Sequence, residues 1–405
     1  MIDWGARAET LLNELAACSE PGPGVTRLPF TAEHDAALEL LKAEMFKTGL
    51  TVRLDDAGTL VGRQDGPPGC KTLLLGSHQD SVREGGAYDG IMGVVLPILA
   101  LQKLQSECTE LPFGVEVLAF ADEEGVRFPT ALIGSRALAG TFDSSTLEMR
   151  DLQGTTLMEA MRSFELNPEK FDALARDPED IIGFLETHIE QGPVLEREDE
   201  AVGVVTAICG IERHQIILTG ETGHAGTLPM QGRKDALVGA AEIVSEVNRM
   251  GRETADLRAT VGSLTVEPNV VNAIPRIVRL TVEIRSPLDG NRLQAGRDLH
   301  QFAQSIAASM GLTIECSVTY SQQAQPCDAR LSCVLTNAVR SKGAKGLSLP
   351  SGATHDASAM ADLCPVAMLF VRCRDGVSHR PEEFASSEDL GVAIDVLAEF
   401  LRSAH

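Results

Sequence analysis

The 405-residue sequence has no basic excess, no cysteine pairing pattern and no long apolar run. Lys and Arg number 35 against 58 Asp and Glu, a net charge of −23 with His neutral. That balance repels nucleic-acid phosphate and anionic lipid, and no basic stripe offsets it, so neither nucleic acid nor membrane is expected as a partner. It sits easily with a cation-binding site. The nine cysteines are odd in number, scattered and never at C-x-x-C spacing. This argues against a disulfide framework or a zinc ribbon and reads as reduced thiols in a cytoplasmic protein. The first twenty residues carry acids early and lack a basic-then-apolar arrangement, so a signal peptide is not expected. No apolar run approaches the roughly 20 residues of a membrane span. Internal repeats and low-complexity tracts are missing as well.

What remains is ordinary globular composition, 43% hydrophobic and 23% charged. At roughly 100–200 residues per domain, the length predicts two or three domains. Apolar spacing predicts helices over 8–19 and 32–49, and a hairpin over 51–62 turning at Asp55–Gly58. Two short apolar strands, Lys71–Leu75 and Phe113–Phe120, each run into a polar cluster, with an apolar helix over 90–105 between them. Continuous apolar strands predict a parallel sheet covered on both faces, whose ligands bind beyond the carboxyl ends of the strands. Past about residue 205 the pattern changes to strand 211–219, helix 233–249, strands 259–266 and 277–285, helix 290–310 and strand 312–320. That β-α-β-β-α-β order builds a four-stranded antiparallel sheet with two helices on one face. It predicts an insertion at 206–322 within a first domain formed by 1–205 and 323–405.

Of nine histidines, His34 falls in a predicted surface helix, His214 and His300 lack acidic company, and His405 is the last residue. The other five sit in short polar motifs. His78-Gln79-Asp80 follows the first apolar strand, and Asp89 lies in the glycine-rich loop after it. A loop folding back would bring His78 and Asp89 together, with Asp80 placed to accept the second imidazole N–H; the plainer account is a polar loop before a helix. Asp122-Glu123-Glu124 follows the second apolar strand. Three acids there need solvent or a cation, and beside a His/Asp pair one can bind metal while its neighbour serves as general base. Alternation over 184–190 puts His188 and Glu190 on one side of an extended segment, next to Gln191. A hydrogen-bonded core histidine is the competing account of that motif. Gly223-His224-Ala225-Gly226, His355-Asp356 and Ser378-His379-Arg380-Pro381-Glu382-Glu383 complete the set. Singly each is weak; together they are hard to explain as packing.

The segments GSHQDSVREGGAYDG, ADEEGVRF, THIEQGPVLE, GETGHAGTLPM, NAIP, ATHDA and GVSHRPEE occur in this order from about 30 to 390. This set resembles the M20 metallopeptidase-like amidohydrolases, in the branch of N-carbamoyl-L-amino-acid hydrolases, allantoate amidohydrolases and β-ureidopropionases. The resemblance implies an α/β di-metal catalytic domain with a mixed, largely parallel sheet between helices, interrupted by a ferredoxin-like α+β lid and dimerisation domain. It implies two divalent ions, Zn²⁺ or Mn²⁺ with Ni²⁺ or Co²⁺ as further options, bridged by Asp89. His78 and His188 would complete one site, and Glu124 and His379 the other. Glu123 would be the base, and His224 would stabilise the oxyanion from the partner subunit of a homodimer. Gln191, Asn272, Arg285 and His355 would hold the substrate, with His224 beside them. His188 stands where peptidase branches usually carry an acid, which points to ureido substrates: a small carboxylate such as an N-carbamoyl amino acid or allantoate. A di-metal peptidase or deacylase, and a cation-binding protein without activity, are the alternatives. Arg276 and Arg380 depart from the family pattern without removing a ligand.

Overall fold

The computed structural model describes residues 2–404, so His405 lies outside the described residues. The chain divides into two compact units. One comprises the residues up to Thr206, then Cys327–Leu349 and the residues from Ala353 on; the other comprises Ala207–Pro326 with Pro350–Gly352.

The first unit is built on a mixed sheet. Its main strands are β1 (Thr51–Leu54), β2 (Leu60–Gln64), β3 (Thr72–His78), β4 (Gly114–Phe120), β5 (Ile181–Ile189), β6 (Val202–Ile208) and the strand Val366–Val371, with the short strands Gln325–Pro326 and Ser348–Ser351 pairing with β6. In space they run β1-β2-β4-β3-β5, then Val366–Val371, then β6. The central strands β4, β3, β5 and Val366–Val371 are parallel, and the flanking pairs are antiparallel. Every residue of β3 and β4 is buried, as strands covered on both faces must be. The helix Met92–Ser106 is apolar almost all round and lies against the sheet. Gly93 permits this closeness, since a Cβ there would meet the Thr187 carbonyl oxygen at 2.1 Å. Leu73, Leu75, Leu96, Leu99, Val117 and Phe400 belong to the core that results. Each such full burial contributes roughly 1.5–3 kcal/mol. The first helix, Trp4–Ala16, begins four residues before the expected start because the Asp3 carboxylate caps it at Ala6 N–H.

His34 departs from expectation. Its helix, Ala32–Lys47, starts at the Thr31 cap, but the imidazole points inward. Its Nδ1 accepts the Phe30 N–H at 2.8 Å, its Nε2 meets the Gln79 amide at 2.6 Å, and the ring stacks on Phe164. Burial drives its pKa down to about 3.

The second unit is a four-stranded antiparallel sheet of β7 (Gly210–Thr219), β8 (Arg258–Glu267), β9 (Ile277–Ser286) and β10 (Thr313–Gln322) in the order β10-β7-β9-β8. Helices Ala236–Glu253 and Asp289–Met310 pack on it. Val278, Leu280, Val282 and Ile284 alternate along β9 into a core with Ile243 and Leu299. His214 is not without acidic company: its Nε2 lies 3.5 Å from Glu212, while its Nδ1 lies 3.0 Å from His300 Nε2. Among the described residues, no helix is long and apolar enough to cross a membrane.

Candidate metal centre

His78 is the last residue of β3, Asp122–Glu124 follow β4, His188 is next to last in β5, and Ser378–His379 follow the strand Val366–Val371. These strands are parallel and in register, His78 opposite Phe120 and Phe370 opposite His188, so their ends converge at one edge of the sheet. The turn Tyr88–Gly90 brings Asp89 into their midst. Gly90 (φ 66°) has no room for a Cβ, which would strike the His78 ring at 2.3 Å.

Asp89 is the centre of the arrangement. Its Oδ1 lies 3.3 Å from His78 Nε2 and 3.1 Å from His188 Nε2. Its Oδ2 lies 3.5 Å from His379 Nε2, and the same nitrogen lies 3.5 Å from Glu124 Oε1. The two carboxylate oxygens thus face two different donor pairs. Each of the two buried imidazoles donates Nδ1–H to a carbonyl, His78 to Asp80 at 3.0 Å and His188 to Ile189 at 2.9 Å. With Nδ1 committed in this way, each Nε2 faces Asp89, the orientation a metal ligand needs. Ligand atoms of His78, Asp89 and His188 lie within 4.8 Å of one another, and so do those of Asp89, Glu124 and His379. A third such group joins Glu123 to His78 and Glu124.

The electrostatics fit cations. Burial, then the charges of Glu124 and Asp356, push Glu123 well above the usual carboxylate range. Burial and the charges of Asp89 and Asp80 push Glu124 up to about 8. Burial opposes ionisation of Asp89 too, but His188 and His78 hold it well below the usual range. Such crowding of buried acids is relieved by positive charge in their midst, and the mixed His and carboxylate donors suit divalent transition metals. Asp122 (φ 54°), Gln191 (φ 55°) and His379 (φ 59°) all adopt left-handed backbone. Strain of about 1–3 kcal/mol per such residue is concentrated at functional sites.

One expectation, that for Glu190, needs correction. Asp80 stands beside His78 as expected, its Oδ1 3.5 Å and its carbonyl oxygen 3.0 Å from the same Nδ1, and its carboxylate also accepts the N–H groups of Glu123 at 3.0 Å and Glu124 at 3.2 Å, fixing the acidic turn. Glu190 does not accompany His188, because β5 ends at Ile189 and Glu190 caps the next helix through Val194 and Leu195 N–H. Gln191 donates Nε2–H to Asp89 Oδ2 at 2.8 Å. His355 packs edge-on to His188, and burial with the His188 charge holds its pKa well below the ordinary value.

The second unit carries His224, Asn272 and Arg285. His224 Nδ1 accepts the Gly226 N–H at 3.1 Å, leaving Nε2–H as a donor, and Ala225 N–H donates to the Asn272 carbonyl. Arg233 donates to the carbonyls of Ala225 and Leu228 and so fixes this turn. Arg285 commits Nε to Glu283 and one Nη to the Gly352 carbonyl.

Sequence reasoning assigned no role to Glu186, Ser378 or Glu383, although all three lie in segments it singled out. Glu186 accepts Ser77 Oγ–H and Ala357 N–H, both at 2.7 Å, and Ser378 Oγ donates to Asp89 Oδ2 at 2.6 Å. The parity of Glu186 with His188 along β5 was a usable signal.

A sequence model of the peptidase family M20/M25/M40 matches residues 74–403. The chain belongs to this family. Among family members, it is 38% identical to N-carbamoyl-L-amino acid amidohydrolase of Geobacillus stearothermophilus over 379 residues, covering 93% of each chain. It is 36% identical to allantoate deiminase of Arabidopsis thaliana, covering 97% of this chain and 81% of the relative. The solved structure of a hydantoinase/carbamoylase family amidase from Burkholderia multivorans superposes with a TM-score of 0.92 at 33% identity, over 99% of this chain and 97% of that one.

Proposed function

We propose that the protein is a metal-dependent hydrolase of the ureido C–N bond in a small carboxylate substrate, such as an N-carbamoyl-L-amino acid or allantoate. Water and the carbamoyl group yield the free amine, ammonia and CO2. The observation that carries this reading is Asp89 with one oxygen toward His78 and His188 and the other toward His379 and Glu124, in a chain similar to amidohydrolases of that class. His188, rather than an acid, at that position favours ureido substrates over the amides of the peptidase reading.

Two divalent ions at this centre, Zn²⁺ or Mn²⁺ by donor type with Ni²⁺ and Co²⁺ also compatible, would polarise the ureido carbonyl and acidify water. His78, Asp89, His188, Glu124 and His379 would hold them. Glu123 takes the proton from the attacking water and returns it to the departing nitrogen, a role that its buried place beside Glu124 supports. His224 Nε2–H donates to the carbonyl oxygen as charge develops there. Arg285 and Asn272 hold the substrate carboxylate, and Gln191 and His355 line the reacting end. A homodimer in which His224 reaches the partner's centre, and a cytoplasmic location suited to nine free thiols, belong to the same reading.

The test is ammonia and free-amine release from N-carbamoyl-α-amino acids, N-carbamoyl-β-alanine and allantoate, with metal restored to chelated protein. Turnover of one of them, lost on chelation and regained with metal, is expected. Hydrolysis of dipeptides or N-acyl amino acids alone would replace this reading with the peptidase one.

A further inference from the structure

Glu383 is buried at 4% exposure, and nothing apolar packing requires explains an acid there. Its Oε1 accepts two consecutive main-chain N–H groups, those of Tyr88 and Asp89, each at 2.9 Å. Gly86 is shaped for this. A Cβ at Gly86 would sit 2.2 Å from the Glu383 carboxyl, so any larger residue would push the acid off the turn. The contacts extend on both sides of Glu383. Phe384 stands edge-on to Tyr88 with ring centres 6.0 Å apart, and Arg374 lies over Phe384 at 4.5 Å. At the other end Ser378 donates to Asp89 Oδ2 at 2.6 Å. The segment Ser378–Phe384 therefore grips both the backbone and the side chain of Asp89, and the same segment carries His379.

Two N–H groups on one oxygen fix the peptide planes on either side of Tyr88 and so the direction in which the Asp89 side chain leaves the chain. His78 and His188 are anchored separately, each by its own Nδ1–H to a carbonyl. His379 has no such anchor to β3 or β5; its place relative to Asp89 depends on this segment. We propose that Glu383 is a positioning residue for the metal centre, holding Asp89 Oδ2 and His379 at the spacing that the second cation site requires. The proposal rests on the di-metal reading above and goes beyond it in assigning the control of one site to a residue that ligates neither ion.

The experiment is a calorimetric titration of metal-free protein with Co²⁺, with the visible Co²⁺ spectrum as a second signal, on wild type, Glu383→Ala, Glu383→Gln and Glu383→Asp. Wild type takes up two equivalents. Glu383→Ala keeps one equivalent at wild-type affinity and binds the other on the order of 10–100-fold more weakly, the usual cost of losing a residue that orients a ligand. Glu383→Gln, which keeps an acceptor oxygen at the same reach, stays near wild type. Glu383→Asp keeps the charge, loses one methylene of reach and behaves like Ala, which preserves the test if the Ala variant does not fold. Two wild-type affinities in folded Glu383→Ala or Glu383→Asp, or Glu383→Gln as weak as Ala, overturn the proposal. Wild type that takes up fewer than two equivalents overturns the di-metal reading beneath it. Wild type that binds two ions but releases no ammonia from carbamoyl substrates sinks the proposed substrate class and leaves the role of Glu383 standing.

Discussion

Replacing Glu123 with Gln separates ligand from base. The side chain is buried, its main-chain N–H is pinned by Asp80, and its carboxylate lies near His78 and Glu124 rather than between the two donor pairs of Asp89. Gln has the same length and fills the same space, so both ions are expected to remain. Burial and the charges of Glu124 and Asp356 already disfavour an ionised Glu123, so the neutral amide relieves repulsion and metal-free Glu123→Gln is expected to melt no lower than wild type. What is lost is a proton acceptor. General-base removal lowers kcat by about 10²–10⁴-fold, or roughly 2.7–5.5 kcal/mol of barrier at about 1.36 kcal/mol per decade. The assay is ammonia release at saturating substrate, with metal content measured on the same sample. Two equivalents of metal, a little-changed KM and that drop in kcat are expected. If Glu123→Gln loses metal while Glu124→Gln keeps it, the two roles are exchanged; if Glu123→Gln keeps more than about a tenth of wild-type kcat, Glu123 is not the base.

Two further outcomes follow from side chains whose surroundings are specific. Arg285→Lys replaces a planar fork already shared with Glu283 and the Gly352 carbonyl by a single point charge. Losing one charge-assisted hydrogen bond of about 1.5–3 kcal/mol raises KM roughly 10–100-fold with a smaller change in kcat, and equal turnover of uncharged ureas and carbamoyl acids would contradict a carboxylate-binding role. His34 has a folded pKa of about 3 because it is buried neutral, below its unfolded value near 6.5. The folded state then binds fewer protons between those values, so the stability His34 contributes is whole above pH ~6.5 and falls by about 1.4 kcal/mol per unit as pH drops toward 3. The urea midpoint of His34→Gln should therefore decline less from pH 6.5 to 5 than that of wild type, and identical declines would remove His34 from the account.

The parallel core was legible because strands covered on both faces must be apolar throughout, and Thr72–His78 and Gly114–Phe120 are. Polar clusters at their ends then marked the ligand edge of the sheet. The insertion was legible through its alternating strands, as in Val278–Ile284. Failures came where a side chain's partner is remote in sequence or is main chain. His34 sits between half-buried Glu33 and exposed Asp35, and only the meeting with Gln79 and Phe164 turns it inward. The spacing of His78 and Asp80 suggested a ring–carboxylate pair, and Oδ1 does lie 3.5 Å from the ring; what spacing does not show is the Asp80 carbonyl on the same nitrogen and the bonds of the carboxylate to an acidic turn more than forty residues away. Glu383 serves two N–H groups across almost the whole chain, and a periodicity argument carries no information about such a bond.

The same residues explain why this centre is held by so many bonds that are not to a ligand. A carboxylate buried without positive charge shifts its pKa and takes up a proton instead of remaining an anion. Asp122, Glu123, Asp356 and Glu186 are all pushed upward chiefly by burial, while the nearby histidines His78 and His188 are raised by the acids they face. Left to side-chain preference alone, these groups would move apart or toward water. They are kept in place by main-chain anchors: two N–H groups on Asp80, two on Glu383, one on Glu186, and a carbonyl on each of His78 and His188. Main-chain groups at strand ends hardly move when a side chain changes its protonation or its ligand. A site assembled from them is set in advance, and in the proposed metal-binding role the free energy of binding would not be spent on gathering the ligands.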